Sequence, residues 1–403
     1  MAERGHYSLP RAHVAFLFSE HIAYPPDGID LKSFHVSKEL QRRLTRVTWV
    51  SLSENFDRRK VGGVDAIGIG SGRGGLLSFL LTSLRLQVFC LVNRVNCVYD
   101  FDWALLRGSP LRKIALQFML RLIRVMYVLV QDDPLVDYEV ACARLTEGSQ
   151  TYHTLTQRYA IIYRLSDLII LPTRAYVDVL ARRGVPARKL LGEFLGIDGD
   201  RFNPHLDGSA VRAQLGLDGK FVIGWFGNMN PYRRITEVII PTIKSIGRDI
   251  PNAHFVIVGR GELKEEFVRL KESEYGERFT LLDFIPNINL PPYYAGCDVT
   301  ISPLSLEYVF TRNALSIKVV ESIAVATPVV ATRTRATLYE LKTLEGIIWT
   351  GDDFQSFYNA LLEMHQNHSQ FSQLARNQSR EMDPYLTEST SAHIAESILA
   401  LCA

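Results

Sequence analysis

Residues 313–332 read "NALSIKVVESIAVATPVVAT", and the fold turns on how this stretch is read. Ile317, Val320, Ile323 and Ala324 recur at helical spacing, so a helix is expected, followed by a strand at "PVVAT". That helix leaves Lys318 and Glu321 together on another face, three residues apart. A glutamate in so apolar a helix is costly unless something hydrogen-bonds it. A ribose diol, offering two hydroxyls to one carboxylate, is one such partner; a Lys318–Glu321 surface pair is the equal alternative.

Outward from this stretch the same alternation continues. Strand candidates in the first half are "HVAFLF" (13–18), "VTWVSL" (47–52), "VDAIGI" (64–69), "RVMYVLV" (124–130) and "DLIILP" (167–172). In the second half they are "FVIGWF" (221–226), "HFVIVG" (254–259), "FTLLDF" (279–284), "DVTISP" (298–303) and "PVVAT" (328–332). Several are nearly continuous apolar runs, as in parallel strands covered on both faces. The fold class is therefore α/β with doubly wound sheets. Ten strands over 403 residues exceed one such sheet of ordinary size. The break falls where Gly, Asp, Pro and Asn concentrate, at "GIDGDRFNPHLDGSAVRAQLGLDGK" (196–220), read as a linker between two Rossmann-like domains, 1–200 and 201–382. The tail 383–403, with "STSAHIAESILALCA", reads as a helix packing back on the first domain.

Bulk properties narrow the function. The apolar content of 47% and charged content of 22% are those of a soluble globular chain, and a net charge of +2 argues against general nucleic-acid binding. The longest apolar runs, such as "LLSFLLTSL", are about half of what a membrane span needs. The polar start "MAERGHYSLPR" lacks a signal core, so a cytoplasmic location is expected. Five cysteines without C-x-x-C and ten histidines without H-x-x-x-H give no expectation of a metal site.

In open α/β sheets ligands bind beyond the carboxyl ends of the strands. "FGNMNPYRR" (226–234) follows a strand candidate: Gly227 permits a tight turn, and Arg233 and Arg234 open the next helix, where guanidinium groups and free amides suit a diphosphate. An exposed basic helix start is the plainer alternative. "GIGSGRGG" (68–75) contains G-x-G-x-x-G at Gly70, Gly72 and Gly75. The acid expected about 20 residues on is missing, Asp100 being the next, and a third strand precedes the motif. It reads as a surface glycine loop, and the dinucleotide-dependent oxidoreductase reading falls.

These segments, taken in order, resemble a family 4 glycosyltransferase of the GT-B fold over nearly the whole length. "AYPPDGIDLKSFHVSKELQRRLTRVTWVS" (23–51), "RLSDLIILPT", "LGIDGDRFNP", "HFVIVGRGEL", "IPNINLPPYYAGCDVTISPL" and "IKVVESIAVATPVVAT" carry the resemblance. It implies retaining, metal-independent transfer of a sugar from a nucleotide-diphosphate sugar, with no permanently bound cofactor, to a glycan, lipid-linked or small-molecule acceptor. It further implies that Glu321 binds the donor ribose, beside Lys318, and that Arg233 holds the diphosphate. The amides of Leu315 and Ser316 would face the phosphates, Gly28 would approach them from the opposite domain, and Phe284 and Ile285 would border the base.

Three departures stand out. Asn228 replaces the arginine the family carries after Gly227, which leaves Arg234 as a substitute. The first of the family's paired glutamates, eight before Glu321, is Asn313; Glu307 is the other candidate, with Asn313 favoured because "SIKVVE" continues from it without a gap. Where the family has an N-terminal-domain histidine this chain has Asp132 and Asp133. These changes keep open a non-catalytic GT-B partner subunit, and the two-domain layout also admits a nucleotide-sugar epimerase. Two basic segments complete the reading: the first helix carries Lys32, Lys38, Arg42 and Arg43, and "SPLRKIALQFMLRLIRV" (109–125) mixes Arg112, Lys113, Arg121 and Arg124 with Ile114, Phe118 and Met119. A peripheral contact with the inner face of a membrane and an ordinary solvated basic face are both consistent with them.

Overall fold

Alternate residues of the first strand, β1 (His13–Phe18), enter two different cores: Val14 and Phe16 go to one face, Ala15 and Leu17 to the other. That is the period of two of a strand buried on both sides. The computed structural model describes residues 12–18, 29–43, 45–51, 59–61, 63–69, 76–101, 109–132, 134–194, 196–341 and 343–403.

Among these, β1 is joined by β2 (Arg46–Ser51), β3 (Arg59–Val61), β4 (Val64–Gly68), β5 (Cys97–Phe101), β6 (Met126–Val130), β7 (Leu168–Leu171) and β8 (Leu190–Gly192). Their order is β3-β4-β2-β1-β5-β6-β7-β8, parallel except for the β3–β4 pair. Helices Ile29–Arg42 and Thr387–Cys402 pack on each other and cover one face with Val36, Leu40, Ile394 and Ile398. Leu76–Val92, Pro110–Leu122 and Gln150–Leu165 cover the other with Leu86, Leu116 and Ile162.

The second sheet is formed by β9 (Phe221–Asn228), β10 (Ala253–Arg260), β11 (Phe279–Leu282), β12 (Val299–Ser302), β13 (Val329–Thr332) and β14 (Ile347–Thr350). Its order is β11-β10-β9-β12-β13-β14, all parallel. Phe221, Ile223 and Trp225 of β9 face one core, Val222 and Phe226 the other. The chain is thus α/β with two Rossmann-like, doubly wound units, the GT-B arrangement. The order reverses at β1/β5 and at β9/β12, the kind of point beside which open sheets of this class bind ligands.

Four strands escaped the sequence reading: β3, β5, β8 and β14. In β5, "CVYDF", Asp100 interrupts the apolar run, yet it is fully buried beside Lys113 at 3.3 Å and accepts the Tyr127 hydroxyl. Residues 196–220 are no loose linker. Ile197, Phe202 and Leu217 enter the core of the second unit, and Ser209–Gln214 is helical. There the two crossovers between the units lie side by side: Ile197 N–H donates to Tyr385 O, and Thr387 N–H donates to Ile197 O, each at 2.9 Å. Gly196 makes this approach feasible, because its φ is +77° and a Cβ would lie 2.6 Å from Thr387 Cα.

Candidate functional site

The carboxyl ends of β9 and β10 form the floor of the site. Gly259 has φ +154°, and a Cβ there would lie 1.8 Å from the Gly227 carbonyl oxygen, so only glycine lets the two strand ends close together. After β9 the chain makes a 3₁₀ turn over Pro231–Arg233, passes through Arg234 in the left-handed region (φ +52°) and enters a π-helical turn, Ile235–Ile239. Such turns interrupt the regular ladder and re-aim side chains. Here Arg233 is sent back towards β9, where its Nε donates to Asn228 Oδ1 at 3.1 Å and its guanidinium lies 5.1 Å from the Tyr232 ring.

Above this floor is a cavity of about 440 Å³. It brings together six residues expected from the sequence: Gly227, Asn228, Arg233, Phe284, Ile285 and Lys318. Arg260, Asn287 and Leu290 also line it and were not anticipated. Arg260 stacks over Phe284, 4.3 Å from the ring centroid. Three cations and no carboxylate line the wall among the described residues. The cavity therefore combines cations with apolar and aromatic groups, a lining that suits an anionic group joined to a planar ring.

Glu321 stands immediately behind this wall. It is 2% exposed, so the pair with Lys318 (3.5 Å) is not a surface pair. Its carboxylate accepts the Tyr294 hydroxyl at 2.7 Å and Asn287 Nδ2 at 3.3 Å. Two of its three neighbours, Asn287 and Lys318, line the cavity. Burial, and then the adjacent carboxylate, raise the Tyr294 hydroxyl pKa well above its ordinary value, which keeps it a proton donor to Glu321. Ser316 precedes the helix Ile317–Ala324 and receives the Ser302 hydroxyl at 2.7 Å; Leu315 is half-buried beside it.

Other expected residues lie elsewhere. Arg234 is held by Asp352 at 2.6 Å, and the same carboxylate oxygen accepts the Leu306 N–H, so its guanidinium is already engaged away from the cavity wall. Asn313 is buried against the first unit: its backbone oxygen accepts the Thr173 hydroxyl and its Nδ2 donates to Val309 O. It lines a separate hollow with Arg182, Arg183, Arg312 and Arg335, while Glu307 is exposed and lines neither cavity. Asp132, just past β6, pairs with the fully buried Lys32 at 3.1 Å, and its Oδ2 is buried without a partner. Gly28, Asp133 and the glycines Gly70, Gly72 and Gly75 lie outside the described residues. Lys32 and Lys113, counted above as surface bases, are instead core cations held by Asp132 and Asp100.

No described group of three His, Cys, Asp or Glu side chains converges as metal ligands do, and no described helix is long and apolar enough to cross a membrane.

Residues 220–367 match the sequence model of the family described as "Glycosyl transferases group 1". The chain is 27% identical over 232 residues to a lipopolysaccharide core biosynthesis mannosyltransferase, LpsB, of Rhizobium meliloti, covering 53% of this chain and 59% of that protein. The chain thus spans under two thirds of the length of this curated relative. Among solved structures, HepE of Anabaena in complex with UDP superposes with a TM-score of 0.71 at 14% identity, covering 96% of this chain and all of that one. Sucrose-phosphate synthase of Thermosynechococcus elongatus does so with a TM-score of 0.72 at 15% identity, covering 97% and 99%.

Proposed function

We propose that the protein is a glycosyltransferase of the retaining family 4 type, moving a sugar from a nucleotide-diphosphate sugar to a glycan, lipid-linked or small-molecule acceptor without a metal ion. The observation that carries this reading is the cavity over the carboxyl ends of β9 and β10, lined by three cations and an aromatic ring, with a buried carboxylate directly behind it. In this reading the base lies against Phe284 and Ile285, Glu321 receives the ribose hydroxyls, and Arg233 and Lys318 meet the diphosphate. The amides of Leu315 and Ser316, at the start of the Glu321 helix, add their dipoles. The chemistry needs stabilisation of negative charge on the departing nucleotide diphosphate, and fixed cations in a partly dry cavity provide it. Arg260 joins them as a second aromatic-stacked guanidinium at the base end.

On the first unit, Gly28 would approach the diphosphate, and Asp132 or Asp133 would hydrogen-bond the acceptor or a sugar hydroxyl, with Lys32 orienting Asp132. The match of residues 220–367 to group 1 glycosyl transferases, and likeness to proteins described with UDP, support the donor half of this reading. A peripheral attachment to the inner face of the membrane is part of the same proposal.

The test is calorimetric titration with UDP, GDP, ADP and their sugars, for the wild type and Glu321→Ala. Binding of one nucleotide, weakened at least about tenfold in the variant, is expected. No binding by a folded protein across the panel would overturn the donor assignment. Nucleotide binding without product formation from any acceptor would favour the non-catalytic partner, and release of free nucleotide with an altered sugar would favour the epimerase.

A further inference from the structure

Helix Leu76–Val92 is built inside out. Its core-facing positions, Phe79, Thr82, Ser83, Leu86 and Cys90, include two hydroxyls. Its outward positions Leu77, Leu80, Leu81, Leu84, Val88 and Leu91 are all aliphatic and 45–71% exposed. A water-facing helix has the opposite polarity. Helix Pro110–Leu122 packs beside it and adds Leu111, Phe118 and Leu122, between 55% and 69% exposed. The 17-residue helix is about 25 Å long, so the two form a continuous apolar face larger than a monomer ordinarily shows to water.

The rim of this face has one sign of charge. Arg85, Arg94, Arg121 and Arg124 are exposed around it, and Arg112 lies over the Phe79 ring at 5.7 Å. Between residues 76 and 101 and between 109 and 125 the one acid is Asp100, which is fully buried. An aliphatic face with an arginine rim and, among the described residues of these two segments, no exposed carboxylate matches an anionic bilayer, whose acyl boundary takes the leucines and whose headgroups take the guanidinium groups. A second copy of the chain would set one arginine rim against another. We propose that helices Leu76–Val92 and Pro110–Leu122 form a docking surface that lies in the interface of an anionic lipid bilayer.

Both helices start at the carboxyl edge of the first sheet, after β4 and β5. Docking therefore lays the membrane beside the edge that carries Asp132. The surface stands apart from the donor cavity and rests on the reading above only for what this placement is for. It also moves membrane contact away from the basic first helix, whose Lys32 points inward, and adds Leu76–Val92, a helix with one charged side chain, to the basic segment 109–125.

Co-sedimentation of the full chain with vesicles of phosphatidylcholine, with and without phosphatidylglycerol, tests the assignment. Binding is expected to the anionic vesicles, reduced at least about tenfold in Leu80→Ser/Leu84→Ser/Val88→Ser and in Arg85→Glu/Arg121→Glu. Failure of the wild type to bind anionic vesicles overturns it, as does equal binding by both variants. So does a wild-type dimer that the serine variant converts to a monomer. Leu84→Trp gives a second readout: its emission is expected to shift to the blue and to be quenched by brominated lipid, and an unchanged spectrum overturns the assignment even if vesicles are bound. Nucleotide titrations of the same variants are expected to match the wild type, which separates failure of this surface from failure of the donor site.

Discussion

The contacts around Glu321 separate two properties that ordinarily fall together, folding stability and ligand affinity. Tyr294→Phe removes a 2.7 Å hydrogen bond to a buried carboxylate. A bond of that kind contributes about 1.5–3 kcal/mol to stability. The carboxylate keeps Asn287 and Lys318, so its position and charge at the cavity wall survive, and nucleotide affinity should change by no more than about threefold. Glu321→Gln does the reverse. An amide oxygen still accepts from Tyr294, limiting the stability loss to about 1 kcal/mol, whereas the charged hydrogen bonds proposed to a ribose diol would be lost. Their contribution of about 1.5–3 kcal/mol predicts roughly ten- to hundredfold weaker nucleotide binding. Urea denaturation and calorimetry on the same preparations measure both quantities. The expected result is a crossed pattern, with Tyr294→Phe less stable but competent and Glu321→Gln stable but weak. Equal loss of affinity in the two variants, or wild-type affinity in Glu321→Gln, would refute the division of labour between the two side chains.

Other consequences are as direct. Gly259→Ala should abolish nucleotide binding and cost ~2 kcal/mol or more, since a Cβ 1.8 Å from the Gly227 carbonyl forces the cavity floor apart; unaltered calorimetry and urea midpoint would contradict this. Arg183→Met strands Asp137, which is 5% exposed and held bidentately by Arg183 beside the Tyr176 hydroxyl, and should lower unfolding free energy by about 3 kcal/mol in urea titrations. Arg144→Ala removes an exposed pair with Glu262 that bridges the two units; a change within ~0.5 kcal/mol is expected, and a larger one would mean that this contact fastens them. His13 and His254 are held below the ordinary 6.5 chiefly by burial, so the folded chain binds fewer protons than the unfolded one as pH falls through that value. Stability should therefore decline below about pH 6.5, with a shallower decline in His13→Asn, measured by urea midpoints at pH about 7.5 and about 5.5.

The features that were legible in the sequence are those that repeat or that local chemistry dictates. β1 and β9 announce themselves because both of their faces are buried and, His13 and Asn228 apart, every residue is apolar or glycine. β5 does not, because its charge is neutralised by Lys113, which comes from the following helix and is invisible to a local reading. The same non-local pairing disguised Lys32, whose partner Asp132 is 100 residues away. At the cavity, Gly227, Arg233 and Lys318 were legible from their positions after a strand or in a helix. Arg260 ends β10 in the glycine-flanked run "VGRGE", a signal of the same kind that was available and passed over. Tyr294 and Asn287 were not legible, since nothing in "IPNINLPPYYAG" tells which polar group turns towards Glu321. The outward leucines of Leu76–Val92 stand in the sequence as an apolar run, and periodicity alone cannot say which side of so apolar a helix meets the core.

The helix Thr387–Cys402 has a consequence for the order in which the chain acquires its structure. Ile394, Ala395 and Ile398 close the core that Val14, Phe16 and Val36 begin. About 210 residues separate the end of β8 from Cys402, which at roughly 5–20 residues per second occupies a ribosome for roughly 10–40 s. For that interval the first sheet has all its described strands and one flank covered only by Ile29–Arg42. The unit whose strands are synthesised first is thus completed only by residues that follow the second unit. The emerging N-terminal half presents a surface for holding factors to occupy until the final turns of the chain arrive.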